Sequence, residues 1–238
     1  MEALPRLIGK ITEMFYIIRL VHLSQTGKTK MNENDLILHH YDASPFTQKT
    51  LRMLGIKAAN WFSVETPMIM PKPDLVALTG GYRGTPVLQI GADVYIDNQR
   101  IASELETRIP KPSFFKNGEQ GLQMAMIKWS DAFFRPGLHM IIALQSKRWP
   151  EEFAADRRAL FPDINFDTIE KELPYARSQL RAHADLLNTQ LQDGRKFLLG
   201  DKPTLADIHA FSVPWFTRST MLEVNELLED LEQLSAWE

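Results

Sequence analysis

The stretch LILHHYDASPFTQKTLRML, residues 36–54, changes from one kind of local order to another across a single short turn, and that change constrains the fold more than anything else in the chain. The apolar run Leu36, Ile37, Leu38 reads as a buried strand, Asp42 to Ser44 as a sharp turn, and Pro45 as the first residue of a helix. On that helix Phe46, Thr50, Leu51 and Leu54 share one face, while Gln48, Lys49 and Arg52 take the other. Ser44 stands where an N-cap belongs. A helix start offers unpaired N–H groups and partial positive charge, so this turn is suited to hold an anion or an ionised thiol, with the Ser44 hydroxyl as a further donor. Capping by itself also accounts for a serine there, and this stretch leaves the two readings side by side.

The pattern continues as Gly55, a helix stop, and Trp61 to Glu65, a second strand closed by Pro67. A strand, a crossover helix and a strand imply a parallel, right-handed pair. Between Pro71 and Gly81 a helical turn fits Asp74 to Leu78. Thr85 to Ile90 and Asp93 to Ile96 form a hairpin, with Gly91 and Ala92 suited to a type II′ turn. Asn98 caps a helix to Arg108 whose Ile101, Ala102 and Leu105 face inward. The first half is therefore βαβ followed by ββα, and the two prolines, two lysines and glycine of residues 109–118 read as a linker.

Beyond Gly118 the periodicity is helical throughout. Leu122, Met126, Trp129 and Phe133 form one stripe, continued by Met140, Ile141 and Leu144 past a bend at Pro136. A short helix covers Glu151 to Leu160, and a regular one carries Ile169, Leu173, Ala176, Leu180, His183, Leu187 and Leu191. His183 on that stripe reads as a packed histidine, because no second ligand stands at metal spacing. His39 and His40 are neighbours on a strand and point to opposite faces, so they are no metal pair either.

Composition narrows the chemistry. With no cysteine among 238 residues, disulfides, thiolate metal sites and a protein thiol nucleophile are excluded, and any sulfur chemistry must come from a ligand. A net charge of −3 with 24% charged residues gives no reason to expect nucleic acid or an acidic membrane as partner. Met14 to Leu23, interrupted by Arg19, is too short to span a bilayer and lacks a small-residue cleavage site after it. Residues 1–30 read as a weakly ordered extension with a helix from Ile8 to Leu23, and a cytoplasmic location is the default.

Three separated motifs agree: SPF at a strand-to-helix turn, TPVLQIG followed by DNQRIASELE, and FLLGDKPTLADIHAF late in the helical half. Together they resemble the cytosolic glutathione transferase superfamily of the serine type. The resemblance implies an α/β thioredoxin-like N-terminal domain over residues 31–109, a linker over 110–118, and an all-α helical-bundle C-terminal domain over 119–238. It implies glutathione as co-substrate, no metal, a detoxifying conjugation of the thiol to an electrophilic small molecule, and a homodimer.

The same resemblance distributes roles. Ser44 stabilises the glutathione thiolate, with Tyr41 as the other candidate; Thr85 and Pro86, with a cis bond between them, pair with the cysteinyl backbone. Asp97 accepts from the γ-glutamyl ammonium, and Asn98, which replaces the serine usual in the family, binds its carboxylate. Lys72 or Arg83 meets the glycyl carboxylate, the other reading of either being a solvated surface charge. Trp129, Phe133 and Phe134 supply an apolar wall, with packing in the core as their first role. Thr204 and Asp207 form a helix-capping pair flanked by Pro203 and Ile208 as a staple. In the family a tryptophan in the setting of LSAWE lies inside a late helix, which implies a helical domain truncated at its end. A glutathione transferase-like binding or scaffolding protein, and a glutathione-dependent reductase or isomerase, are the competing functions.

Overall fold

The structure, a computed structural model, describes residues 32–115 and 118–238. The extension over 1–30, with its expected helix, lies outside the described residues. Strands β1 (Leu36–His40), β2 (Trp61–Glu65), β3 (Val87–Ile90) and β4 (Asp93–Ile96) form one sheet in the order β2-β1-β3-β4. β1 and β2 run parallel across their crossover helix, while β3 is antiparallel to both β1 and β4. The β3–β4 turn has Gly91 at φ 59° and no positive φ at Ala92, the pattern of a type II′ hairpin. β3 starts at Val87 rather than Thr85, since Pro86 has no N–H to give a ladder.

Helices α1 (Pro45–Ile56), α2 (Pro73–Thr79) and α3 (Asn98–Arg108) complete the first half. α2 runs one residue beyond the expected Asp74–Leu78 at each end, and α1 and α3 each differ from the sequence expectation at one boundary. α1 passes through Gly55 and stops at Ile56, capped by Lys57, whose N–H donates back to the Gly55 and Met53 carbonyls. The N-cap of α3 is Asp97 and not Asn98: the Asp97 carboxylate accepts from the Gln99 N–H at 2.7 Å.

The larger finding concerns the face of α1 opposite Leu51 and Leu54, which carries Gln48 and Lys49. They are 3% and 4% exposed. One face of α1 lies on the sheet and α3, and the face bearing these polar residues is covered by the helix over Leu205–Thr220 in the second half. An amphipathic reading sends charged residues to water because it sees one domain at a time.

The second half comprises α4 (Gln120–Gln145), α5 (Glu151–Leu160), α6 (Leu173–Gln190), α7 (Leu205–Thr220), α8 (Leu222–Leu227) and α9 (Glu232–Trp237), with a 3₁₀ turn over Ile169–Glu172 leading into α6. α4 continues through Pro136 as one helix. Its stripe begins on a different face from the expected one: Gln123, Ile127, Ser130 and Phe133 are buried, whereas Leu122 is 53% exposed. The α6 stripe is as expected, with Ala176, Leu180 and Leu187 buried along it and Leu191 just beyond its end. α4 and α7 approach so closely at Gly137 that a Cβ there would lie 2.5 Å from Thr217 Cγ2.

The helical half has its own core, centred on Phe133, Leu180, Leu187, Val213 and Leu234. The core under the sheet is shared: Leu38, Met53, Leu88, Ile101 and Leu105 pack with Ile127 of α4 and with Leu205 and Ile208 of α7. Phe114, from the linker, is 1% exposed in that same cluster. α7 opens with a reciprocal capping box in which Asp207 accepts from the Thr204 N–H at 2.9 Å. The same carboxylate takes the Leu198 N–H at 2.7 Å and Trp237 Nε1 at 3.1 Å, so it ties α7 to the preceding loop and to α9. Among the described residues no helix is long and apolar enough to cross a membrane.

Candidate functional site

Strand register brings the sequence-selected residues to one end of the sheet. His39 pairs with Val87, and Val87 with Ile96. His40 ends β1, Pro86 immediately precedes β3 and Asp97 immediately follows β4, so Tyr41, Thr85 and Asn98, one residue further out, leave the sheet at the same end. The loop after β2 leaves at the same end, where Thr66 N–H donates to the His40 carbonyl at 2.7 Å. Loops at the carboxyl ends of strands beside a reversal of strand order are where open α/β sheets place ligands.

Ser44 is the N-cap of α1 and is 2% exposed. Its Oγ accepts from the Thr47 N–H at 3.3 Å, and the hydroxyl donates to no acceptor among the described residues. Capping and donation to a ligand are therefore compatible. Gln48 Nε2 donates to the Asp42 carbonyl at 2.9 Å, bracing the turn from inside the helix. Thr85–Pro86 is cis, and Pro86 is buried at the head of β3.

Asp97 sits at φ 77° and ψ 136°, a positive-φ backbone outside the αL well that side-chain-bearing residues seldom adopt. Its residue is exposed, while Asn98 is 6% exposed. Thr50 Oγ1 donates to Asn98 Oδ1 at 2.7 Å, which occupies the carbonyl and turns the Nδ2 donors away from α1. The asparagine that departs from the family pattern is thus held in one orientation by the helix carrying Ser44.

The wall residues separate. Phe134 faces Phe46 at 5.4 Å between ring centroids and stacks on Phe216 at 5.7 Å, making an aromatic row from α1 through α4 to α7. Phe133 is fully buried, and with Trp129 it packs around His183 in the helical core. Phe133 is therefore core and not wall: adjacent residues on a helix point about 100° apart, so only one of the pair meets α1. Phe46, 38% exposed, takes the place expected of Phe133. Packed among rings, His183 is lowered in pKa by burial.

Below Phe46 lies a polar pair not anticipated from the sequence. Lys49 Nζ is 3.4 Å from His209 Nδ1 and 5.3 Å from the Phe46 ring centroid. Burial pushes the lysine down to about 8, against the opposing pull of Asp131 and Asp97. Burial, and then the Lys49 charge, push His209 down to about 3. A neutral imidazole whose Nδ1 accepts from an ammonium carries its proton on Nε2, and that buried atom has no partner among the described residues.

Lys72 and Arg83 are not solvated surface charges. Lys72 is 4% exposed, with its ammonium 5.1 Å from the centroid of the Tyr41 ring and no hydrogen-bond acceptor among the described residues. Arg83 pairs with Asp156 of α5, which also accepts the Met70 N–H at 3.0 Å. Burial, then the charges of Arg157 and Arg83, lower Lys72 to about 8, with Asp156 pulling the other way. Burial alone would raise the Asp156 carboxyl; the Met70 N–H and Arg83, with the Arg157 charge, together hold it below the usual carboxylate range. No sequence signal marks Asp156, since a charged pair in a short helix ordinarily belongs to a solvated face.

Residues 38–113 match the model of the glutathione S-transferase N-terminal domain, and residues 138–238 that of the C-terminal domain. A GST-like protein from Pseudomonas syringae is 36% identical, with a TM-score of 0.66; the alignment covers 86% of this chain and 65% of that one. This chain thus spans less than two thirds of that relative's length. A glutathione S-transferase of Ceriporiopsis subvermispora, solved in complex with glutathione, shares the fold at 16% identity and TM-score 0.68, covering 86% of this chain and 95% of that one. One from Rhodospirillum rubrum does so at 19% and 0.63, covering 85% of each. Among curated proteins no sequence matches this one.

Proposed function

The chain belongs to the glutathione S-transferase superfamily, with both of its domains in succession, and from that premise we propose that it binds glutathione and presents its thiolate to an electrophilic small molecule. The observation that carries the reading is Ser44: a buried N-cap whose hydroxyl donates to no acceptor among the described residues, at the end of the sheet where the β1, β3 and β4 loops converge. A hydrogen bond to a charged acceptor contributes roughly 1.5 to 3 kcal/mol and a helix terminus about 0.3 to 1. Between them they bring a thiol from about 8.5 to near or below neutrality, so that the thiolate becomes the main form at pH 7. The Phe46, Phe134 and Phe216 row is the apolar surface beside it for the electrophile.

In this reading Thr85 pairs with the cysteinyl backbone, Asp97 takes the ammonium, and Asn98 Nδ2 with the first N–H groups of α3 takes the γ-glutamyl carboxylate. Tyr41 is the alternative donor to the thiolate, although its ring already supports Lys72. Retention on immobilised glutathione and a conjugation assay with an aryl halide test the proposal. Ser44→Ala is expected to lower kcat/KM by roughly 10- to 150-fold, the equivalent of one charged hydrogen bond. An unchanged rate moves the role to Tyr41. A wild-type protein that is neither retained nor active leaves the binding or scaffolding reading in its place.

A further inference from the structure

The loop after β2 and the helical half meet at one carboxylate. Asp156, 9% exposed on α5, accepts from Met70 N–H and from Arg83 through Oδ1, and its Oδ2 lies 2.9 Å from Arg157 Nη2. Arg157 Nη2 in turn donates to the Met68 carbonyl at 2.7 Å. Two adjacent residues of the second domain therefore grip the 68–70 backbone from both its donor and its acceptor sides, immediately before Lys72. Three cations, Lys72, Arg83 and Arg157, act on this one carboxylate, and the lysine, 4% exposed, has no hydrogen-bond acceptor among the described residues. A buried cation left unpaired is costly, so an excess of this kind is suited to an anion that arrives with a ligand.

Sheet order says which anion. In β2-β1-β3-β4 the Asp97 loop follows β4, Thr85 precedes β3, and the Lys72 loop follows β2. Strands are about 4.8 Å apart, so the outer loops are separated by about 14 Å. That is the scale of an extended tripeptide lengthened by a γ-glutamyl linkage, at up to about 3.6 Å per residue plus the extra methylenes and terminal carboxylates. With the γ-glutamyl end at Asp97 and the cysteine at Thr85, the remaining glycyl carboxylate falls on the Lys72 side.

We propose that Asp156 is a positioning residue for glutathione: from the helical domain, with Arg157 beside it, it holds the 68–72 segment and Arg83 so that Lys72 receives the glycyl carboxylate. The inference rests on the glutathione reading above. It makes the tripeptide subsite a joint property of both domains, with no contact between Asp156 and the ligand itself.

The test compares glutathione with its glycyl monoethyl ester, which differs only in lacking that carboxylate charge. Wild type is expected to prefer glutathione. Asp156→Asn should raise KM for glutathione about tenfold with kcat little changed, leave the ester unaffected, and be reversed in large part by Asp156→Glu. Should Asp156→Asn fail to melt as a folded protein, Arg157→Gln is read with the same two ligands and the same expectation. Equal losses for both ligands overturn the proposal, since a merely structural role would weaken them alike. Tighter glutathione binding by Asp156→Asn also overturns it, being the result of deleting a negative charge beside an anion site. A wild type that binds both ligands equally overturns it while leaving the glutathione reading intact; a wild type that binds neither removes that reading itself.

Discussion

At the scale of single residues, Asp97 combines two jobs that substitution can separate. Its backbone has a positive φ of 77° and its carboxylate caps α3, while in the proposed reading its charge also meets the ligand's ammonium. Asp97→Asn keeps the backbone preference and an acceptor, so it should melt near wild type yet raise KM for glutathione about tenfold, the loss of a charged hydrogen bond. Asp97→Ala gives up the conformation and the cap as well, and should cost about 1 to 2 kcal/mol in a denaturant titration. His209 bears on pH. Its folded pKa, about 3, lies below the roughly 6.5 of an unfolded histidine. The unfolded chain therefore binds the extra proton between those values, and the contribution is complete above about pH 6.5 and lost on acidification at about 1.4 kcal/mol per pH unit. His209→Asn should flatten the acid side of a stability–pH curve; an unchanged slope would show that the ring is not buried neutral. Lys49 acts at the other end: lowered to about 8, it makes stability rise with pH from there towards 10.5. Ser44 was legible in the sequence because a cap followed by Pro45 leaves a local signature, whereas Asp97 was reached only through the family resemblance and its cap was read one residue late, at Asn98. Lys49, His209 and Asp156 were not, since their meaning depends on partners 160 residues distant in the first two cases and 73 in the third.

At the scale of elements, β1 through β4 and most helices follow from local pattern, with the exact span of β2 and of α5 readable from turn residues and periodicity. The misreadings of exposure have one origin. α1 and the start of α4 carry side chains whose exposure is decided by a neighbouring domain, and Phe133 and Phe134 differ only in which neighbour lies in front of them. The close crossing of α4 and α7 is the sharpest element-level constraint. Gly137→Ala should destabilise by about 1 to 3 kcal/mol through overlap with Thr217 Cγ2. Thr217→Ser removes that methyl and keeps the hydroxyl that bonds the Val213 carbonyl at 2.9 Å. The double variant should recover much of the loss, a coupling that chemical denaturation of all four proteins would measure. Additive losses would place the strain elsewhere.

At the scale of the whole molecule, Val64, Met68 and Met70 are about two-fifths exposed at the edge strand and the loop after it, and Leu122 is more so on α4. We propose, as the family resemblance implies, that the chain pairs with a second copy, and sedimentation should then give the mass of two chains; a shift towards one in Val64→Glu would assign the edge strand to the contact. A single-chain mass for the wild type would refute the pairing. Within one copy the shared core joins the halves more firmly than a linker does, since Leu205 and Ile208 fill the space beneath α1 and the sheet. That arrangement imposes an order on synthesis. The first domain leaves the ribosome well before α7, and the stretch of about 90 residues from Phe114 to Leu205 takes on the order of 5 to 20 s to translate. For that interval the nascent sheet carries an uncovered apolar surface, the condition under which a partly made chain is prone to associate wrongly until its final packing partner has been synthesised.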